Sequence, residues 1–189
     1  MKRKKYSFLQ DWKTNNHRKP LLMLGARQVG KTFLLKQFGE TEFHSTIYLN
    51  FELEKQLQDL FSDSLDPEKI ISNIELFFNE KIIAQETLIV FDEIQACEKA
   101  LNSLKYFREN NPEYYIAAAG SLLGVTVNRK EFSFPVGQVD ITTLHPLDFE
   151  EFLWALNEER LAEEIKTCYS TNQSFALHKK ALQLYHDFI

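Results

Sequence analysis

The sequence predicts an α/β fold of three layers, with helices over both faces of a central, mainly parallel five-stranded sheet. Two observations carry this. Short apolar runs of strand length alternate along the chain with segments of helical period. Such alternation needs crossover connections, which make neighbouring strands parallel and cover the sheet on both sides.

The elements follow in order. Spacing at Phe8, Leu9 and Trp12 fits one face of a short helix, behind the cationic run Lys2-Arg3-Lys4-Lys5. That run suits a contact with phosphates or an anionic surface, or else a solvated tail, and the usual behaviour of termini favours the tail. Leu21-Leu22-Met23-Leu24, opened by Pro20 and closed by Gly25, reads as a first buried strand. Leu34, Leu35 and Phe38 follow at helical spacing, with Gly39 as a terminator. STIYLNF at 45–51 has the β-branched and aromatic content of a second strand. Asp66-Pro67 reads as a cap and first helical residue, with apolar residues from Ile70 to Ile83 recurring at helical period. TLIVFDE at 87–93 is a third strand, a helix over about 98–109 follows, YYIAAAG at 114–120 is a fourth strand and QVDITTL at 138–144 a fifth. FEEFLWALNEER at 149–160 is amphipathic, with Phe149, Phe152, Leu153 and Leu156 on one face.

Composition sets the bounds. A chain of 189 residues suits one domain, and aromatic residues at 13 %, 16 of them Phe, supply the volume of its core. The net charge of −5 argues against tight non-specific nucleic-acid binding, although local patches can override it. Cys97 and Cys168 have no C-x-x-C spacing and no signal peptide precedes them, which fits a reducing cytoplasm. No apolar run approaches the roughly 18–20 residues of a membrane span.

The chemistry begins at Gly25-Ala26-Arg27-Gln28-Val29-Gly30-Lys31-Thr32, which fits G-x-x-x-x-G-K-[ST] after a strand and before a helix. Gly25 and Gly30 permit backbone angles that a side chain would forbid, and let amide N–H groups approach phosphate oxygens. The helix that follows points its unpaired N–H groups at the same anion. Lys31 is expected to reach the β- and γ-phosphates and the Thr32 hydroxyl to ligate Mg²⁺, with Phe33 next to them completing the nucleotide-binding set.

The second half is LIVFDE. Leu88 to Phe91 form a strand expected next to the first, leaving Asp92 at its carboxyl end, where ligands bind in open α/β sheets. Asp92 is the candidate to hold Mg²⁺ through water, and Glu93 to polarise the attacking water as general base. A Glu directly after the Asp looks like the P-loop ATPases in which an extra strand lies between the cradle strand and the Asp strand. YYIAAAG is the candidate for that inserted strand. Ser121, at its end, is a candidate γ-phosphate sensor, equally well read as a capping or turn serine. Arg129, with Lys130, lies where related ring-forming ATPases present an arginine to a neighbour's nucleotide. A solvated loop pair is the commoner explanation.

These residues together resemble the prokaryotic AAA-superfamily ATPases related to archaeal ATPases, whose longer members end in a further C-terminal domain. The matching segments are GARQVGKTFLL, YLNFE at 48–52, TLIVFDEIQ at 87–95, LKYFREN at 104–110, AAAGSLLGV at 117–125 and FPVGQVDITTLHPLDFEEFL at 134–153. The resemblance implies a P-loop NTPase fold of the additional-strand, catalytic-Glu type, with GARQVGKT as Walker A and LIVFDE as Walker B. It also implies ATP and Mg²⁺ as ligands. Gln138 stands where family members often carry arginine, and the chain stops at LYHDFI, where relatives continue into a helical lid. The segments expected are 1–19, basic and helical; 20–155, the ATPase core; and 156–189, helical, the start of a truncated lid.

Three functions remain open at this point: an ATPase, an ATP-dependent switch or interaction module with little hydrolysis, and a DNA-associated accessory ATPase. A protein partner or self-association accompanies the second. The absence of an N-K-x-D element leans towards ATP over GTP.

Overall fold

The computed structural model describes residues 2–121 and 137–189. Five parallel strands form one sheet: β1 (Leu21–Gly25), β2 (Ser45–Asn50), β3 (Thr87–Asp92), β4 (Tyr115–Ser121) and β5 (Asp140–Thr143), in the order β2-β3-β4-β1-β5. The inserted strand is therefore real. β4 separates β3 from β1, so LIVFDE is not the immediate neighbour of the cradle strand, because YYIAAAG pairs with both. Its Ala117, Ala118 and Ala119 suit that crowded central position, and all three are buried.

Alternate residues of each strand feed opposite layers, since successive side chains leave opposite faces of a sheet. Leu21, Met23, Leu88, Val90 and Ala117 pack with Leu9 and Trp12 of α1 (Lys5–Thr14) and with Leu34, Leu35 and Phe38 of α2 (Lys31–Glu42). Leu22, Ile47, Leu49, Ile89 and Phe91 pack on the other side against α3 (Pro67–Phe78), α4 (Glu98–Asn110) and a 3₁₀ helix at Lys55–Phe61. Leu88 to Phe91 are fully buried, each contributing about 1.5–3 kcal/mol as a buried large apolar side chain. A third, smaller cluster joins α5 (Phe149–Ala155), α6 (Glu159–Thr171) and α7 (His178–Phe188) through Leu153, Leu161, Ala162 and Ala181.

Local chemistry sets the boundaries. Asp66 caps α3 by accepting the Glu68 N–H, with Pro67 at the first position, as its sequence predicts. The helix does not continue to Ile83. Asn79 turns left-handed at φ 50, and the Ile82 N–H is taken by the Glu75 carboxylate, so Ile82 is buried from a loop. FEEFLWALNEER likewise breaks into two helices, at the left-handed Asn157. The basic N-terminus departs furthest from a solvated tail: Arg3 is 5 % exposed and its Nε lies 3.1 Å from Glu151.

Candidate functional site

Parallel strands deliver their carboxyl ends to one edge of the sheet. Gly25 pairs with Ser121 and Asn50 with Asp92 in register, so β1, β4, β2 and β3 each place a polar or glycine residue there. Between β1 and α2 the octapeptide forms a loop, with Ala26, Arg27 and Gln28 exposed and Val29 and Gly30 half-buried.

The two glycines are needed for different reasons. Gly30 lies at φ 92, in the region that favours glycine, and serves as N-cap of α2. Gly25 has no such backbone, contrary to the expectation of forbidden angles at both. A Cβ there would instead collide with the Leu144 carbonyl oxygen, which follows β5. α2 has no side-chain cap and no acidic residue of its own in its first turn; Asp92, from β3, approaches that turn through the Thr32 hydroxyl.

Lys31 is 6 % exposed, and its ammonium donates to the Gly25 and Ala26 carbonyl oxygens at 3.1 and 2.8 Å. Burial holds its pKa below the ordinary lysine value, against the opposing pull of Glu93 and Asp92. Among the described residues no carboxylate lies within ion-pairing distance of it. Asp92 is the complement: 2 % exposed, and also without a cation partner among the described residues. Its Oδ2 accepts from the Thr32 hydroxyl at 2.7 Å and from the Tyr48 hydroxyl at 2.5 Å, and its Oδ1 from the Glu93 N–H at 3.0 Å. The two sequence motifs, sixty residues apart, meet at the Thr32–Asp92 bond.

Glu93 sits just past the strand at φ 49, opening a 3₁₀ turn over Ile94–Ala96, and its carboxylate accepts from the Gln95 amide. The other Gln95 side-chain atom, Oε1, is buried without a hydrogen-bond partner. Arg27 is mostly exposed and lies 3.7 Å from Glu52; Phe33, 49 % exposed, faces outward. Ser121 is half-buried beside Gly25. Arg129 lies outside the described residues.

Tyr48, Asn50 and Gln95 carry contacts that the sequence reading did not assign. Burial, then the bond to Asp92, raises the Tyr48 phenol to about 12, and its oxygen also accepts from the Asn50 amide at 3.1 Å. A polar Asn set between Leu49 and Phe51 in YLNF is the one signal that could have pointed to this edge. Among the described residues no group of three or more His, Cys, Asp or Glu forms a metal cage. No helix among them is long and apolar enough to cross a membrane.

Comparison with known proteins agrees with this arrangement. The family described as "AAA domain" matches residues 17–153. No curated protein sequence matches the chain. Among solved structures, the Aeropyrum pernix ORC2 protein in its ADPNP–ADP complexes superposes with a TM-score of 0.54 at 12 % identity, over 85 % of this chain and 52 % of that one. Its ADP form gives 0.52 at 13 %, over 82 % and 50 %. The chain thus spans about half the length of the structures it resembles. With the family match running from ahead of β1 to α5, over most of the chain, this protein belongs to the AAA domain family of P-loop ATPases.

Proposed function

We propose that this chain binds Mg-ATP and hydrolyses it, with GARQVGKT as Walker A and LIVFDE as Walker B. The observation that carries the reading is a pair of buried charges, neither in an ion-pair contact among the described residues. Among those residues Lys31 has no anion and Asp92 no cation within ion-pairing distance, and Thr32 of the first motif bonds Asp92 of the second. An isolated buried charge is costly. A phosphate group answers the first and a divalent cation the second.

The donor set fits magnesium. Thr32 Oγ1 and the Asp92 carboxylate are hard oxygen ligands, and so small a protein set suits an ion that keeps water and phosphate oxygens in its shell. Bound there, the ion would neutralise charge on the phosphates. The chain's own residues do the rest. Lys31 exchanges its two loop carbonyls for phosphate oxygens, and the amides of the loop and of the uncapped helix bind the anion. Asp92 orients the Thr32 hydroxyl, and Glu93 accepts a proton from the attacking water.

A second reading draws on Gln95. Because its amide already occupies the Glu93 carboxylate, the resting chain holds its base engaged, as a nucleotide-dependent switch with little turnover would. Glu93→Gln separates the two. In an ATPase it keeps ATP affinity and abolishes phosphate release; if wild-type protein binds ATP and releases no phosphate above background, the switch stands. Lys31→Ala binding ATP as tightly as wild type would sink both.

A further inference from the structure

Arg3 stands 22 residues ahead of the octapeptide, yet its side chain is built into it. Three nitrogen atoms of its guanidinium find three separate partners. Nη1 donates to the Val29 carbonyl oxygen at 2.8 Å, Nη2 to the His145 carbonyl oxygen at 2.6 Å, and Nε to Glu151 Oε1 at 3.1 Å. The side chains of Arg3 and Glu151 are 2 % and 6 % exposed. Glu151 is itself saturated: it accepts the Lys4 N–H at 2.8 Å and closes a capping box with Asp148 at the start of α5.

We propose that Arg3 is a positioning residue for the phosphate loop, a role that rests on the nucleotide-binding function above. In a trans peptide the C=O and N–H point in opposite directions. A guanidinium fixed on the Val29 oxygen therefore sets the direction of the Gly30 N–H, at the residue whose left-handed backbone turns the chain into α2. The same guanidinium grips His145, next to Leu144, whose carbonyl fills the space a Gly25 side chain would need. One cation thereby secures both ends of the octapeptide. Its counter-ion on α5 keeps its own charge neutralised, so that it acts through the loop backbone and not as a phosphate ligand. A lysine cannot reproduce this, since one ammonium cannot span three acceptors held in a planar fork.

The test uses the full chain, with ADP as the probe and thermal melting without nucleotide as the control for folding. Arg3→Lys should weaken ADP binding about tenfold, the equivalent of one charge-assisted hydrogen bond. Glu151→Gln leaves the Val29 contact in place and should stay within about twofold of wild type, even where the two variants lose equal melting temperature. Equal loss of affinity in both variants, or Arg3→Lys binding like wild type, overturns the positioning role and leaves nucleotide binding intact. Failure of the wild-type chain to bind ADP removes the proposed function and this role with it. Should Arg3→Lys not fold, hydrogen exchange on wild type decides: ADP must slow exchange at residues 2–6 and 148–151 as well as in the loop. Protection confined to the loop overturns the proposal.

Discussion

The clearest quantitative consequence concerns the two loop glycines, whose replacement by alanine should rank opposite to what backbone angles alone suggest. Gly30 is at φ 92 with no clash beyond it, Arg3 Nη1 lying at an ordinary contact distance of 3.6 Å from an added Cβ. Alanine there pays the left-handed penalty of about 1–2 kcal/mol, partly offset by the stiffer unfolded chain, for a net of about 1 kcal/mol. Gly25 has an unstrained backbone, but its Cβ would overlap the Leu144 carbonyl oxygen and press on Val29 Cγ2 at 3.2 Å. That carbonyl has little room to swing aside, because the backbone is held on both sides of its peptide: the Leu144 N–H donates to the Leu24 oxygen at 2.7 Å and the His145 carbonyl accepts from Arg3 at 2.6 Å. Overpacking against immobile backbone belongs at the upper end of its range, about 3 kcal/mol. For a chain of this size that is a fall of about 6–12 °C in Tm for Gly25→Ala, against about 2–4 °C for Gly30→Ala. Thermal melts followed by far-UV circular dichroism without nucleotide measure both. Gly25→Ala melting at or above Gly30→Ala would refute the assignment of steric and conformational roles.

Other outcomes follow from single contacts. Tyr48→Phe removes a donor from a buried carboxylate and should cost about 1.5–3 kcal/mol in denaturant unfolding. Tyr48 also sets an alkaline limit. Its folded pKa, about 12, lies above its ordinary 10, so the native state keeps a proton the unfolded chain has lost, and stability falls as pH rises through that window. Tyr48→Phe should lack this fall, and the wild-type-minus-variant phenolate titration should centre near 12. Asp66→Ala removes the cap of α3 and should lower stability by about 1 kcal/mol in the same denaturation assay. A thiol reagent should modify the partly exposed Cys168 in the folded chain and Cys97 only on unfolding, since Cys97 is buried.

Much of this was legible in the sequence, for physical reasons. Strands buried on both faces read as continuous apolar runs, and LLML, LIVF and IAAA each announce a central strand. The glycine loop between β1 and α2 and the position of Asp92 at a strand end were legible because the spacing of G-x-x-x-x-G-K-T and a carboxylate ending an apolar run are local. What stayed hidden was long-range. Arg3 looked like one of four solvated cations, because its partners lie 26, 142 and 148 residues away and only the closed fold brings them to it. Tyr48 was read as strand content, because no local pattern says which hydroxyl meets Asp92. The stop of α3 at Asn79 escaped as well, since the apolar period runs on through Ile82 while the backbone does not.

The shared edge of the sheet has a kinetic consequence. Gly25, Asn50, Asp92 and Ser121 come from distant parts of the chain and meet only when four parallel strands are in register. Parallel, non-local pairing is the slow step of such folds, so no early or partly folded species contains the complete site. A ligand bound there stabilises only the finished state, by RT ln(1 + [L]/Kd). Its whole effect therefore appears as slower unfolding, with the refolding rate unchanged. Under the function proposed above, nucleotide would act on this chain as a brake on opening, its concentration setting how long the native state lasts.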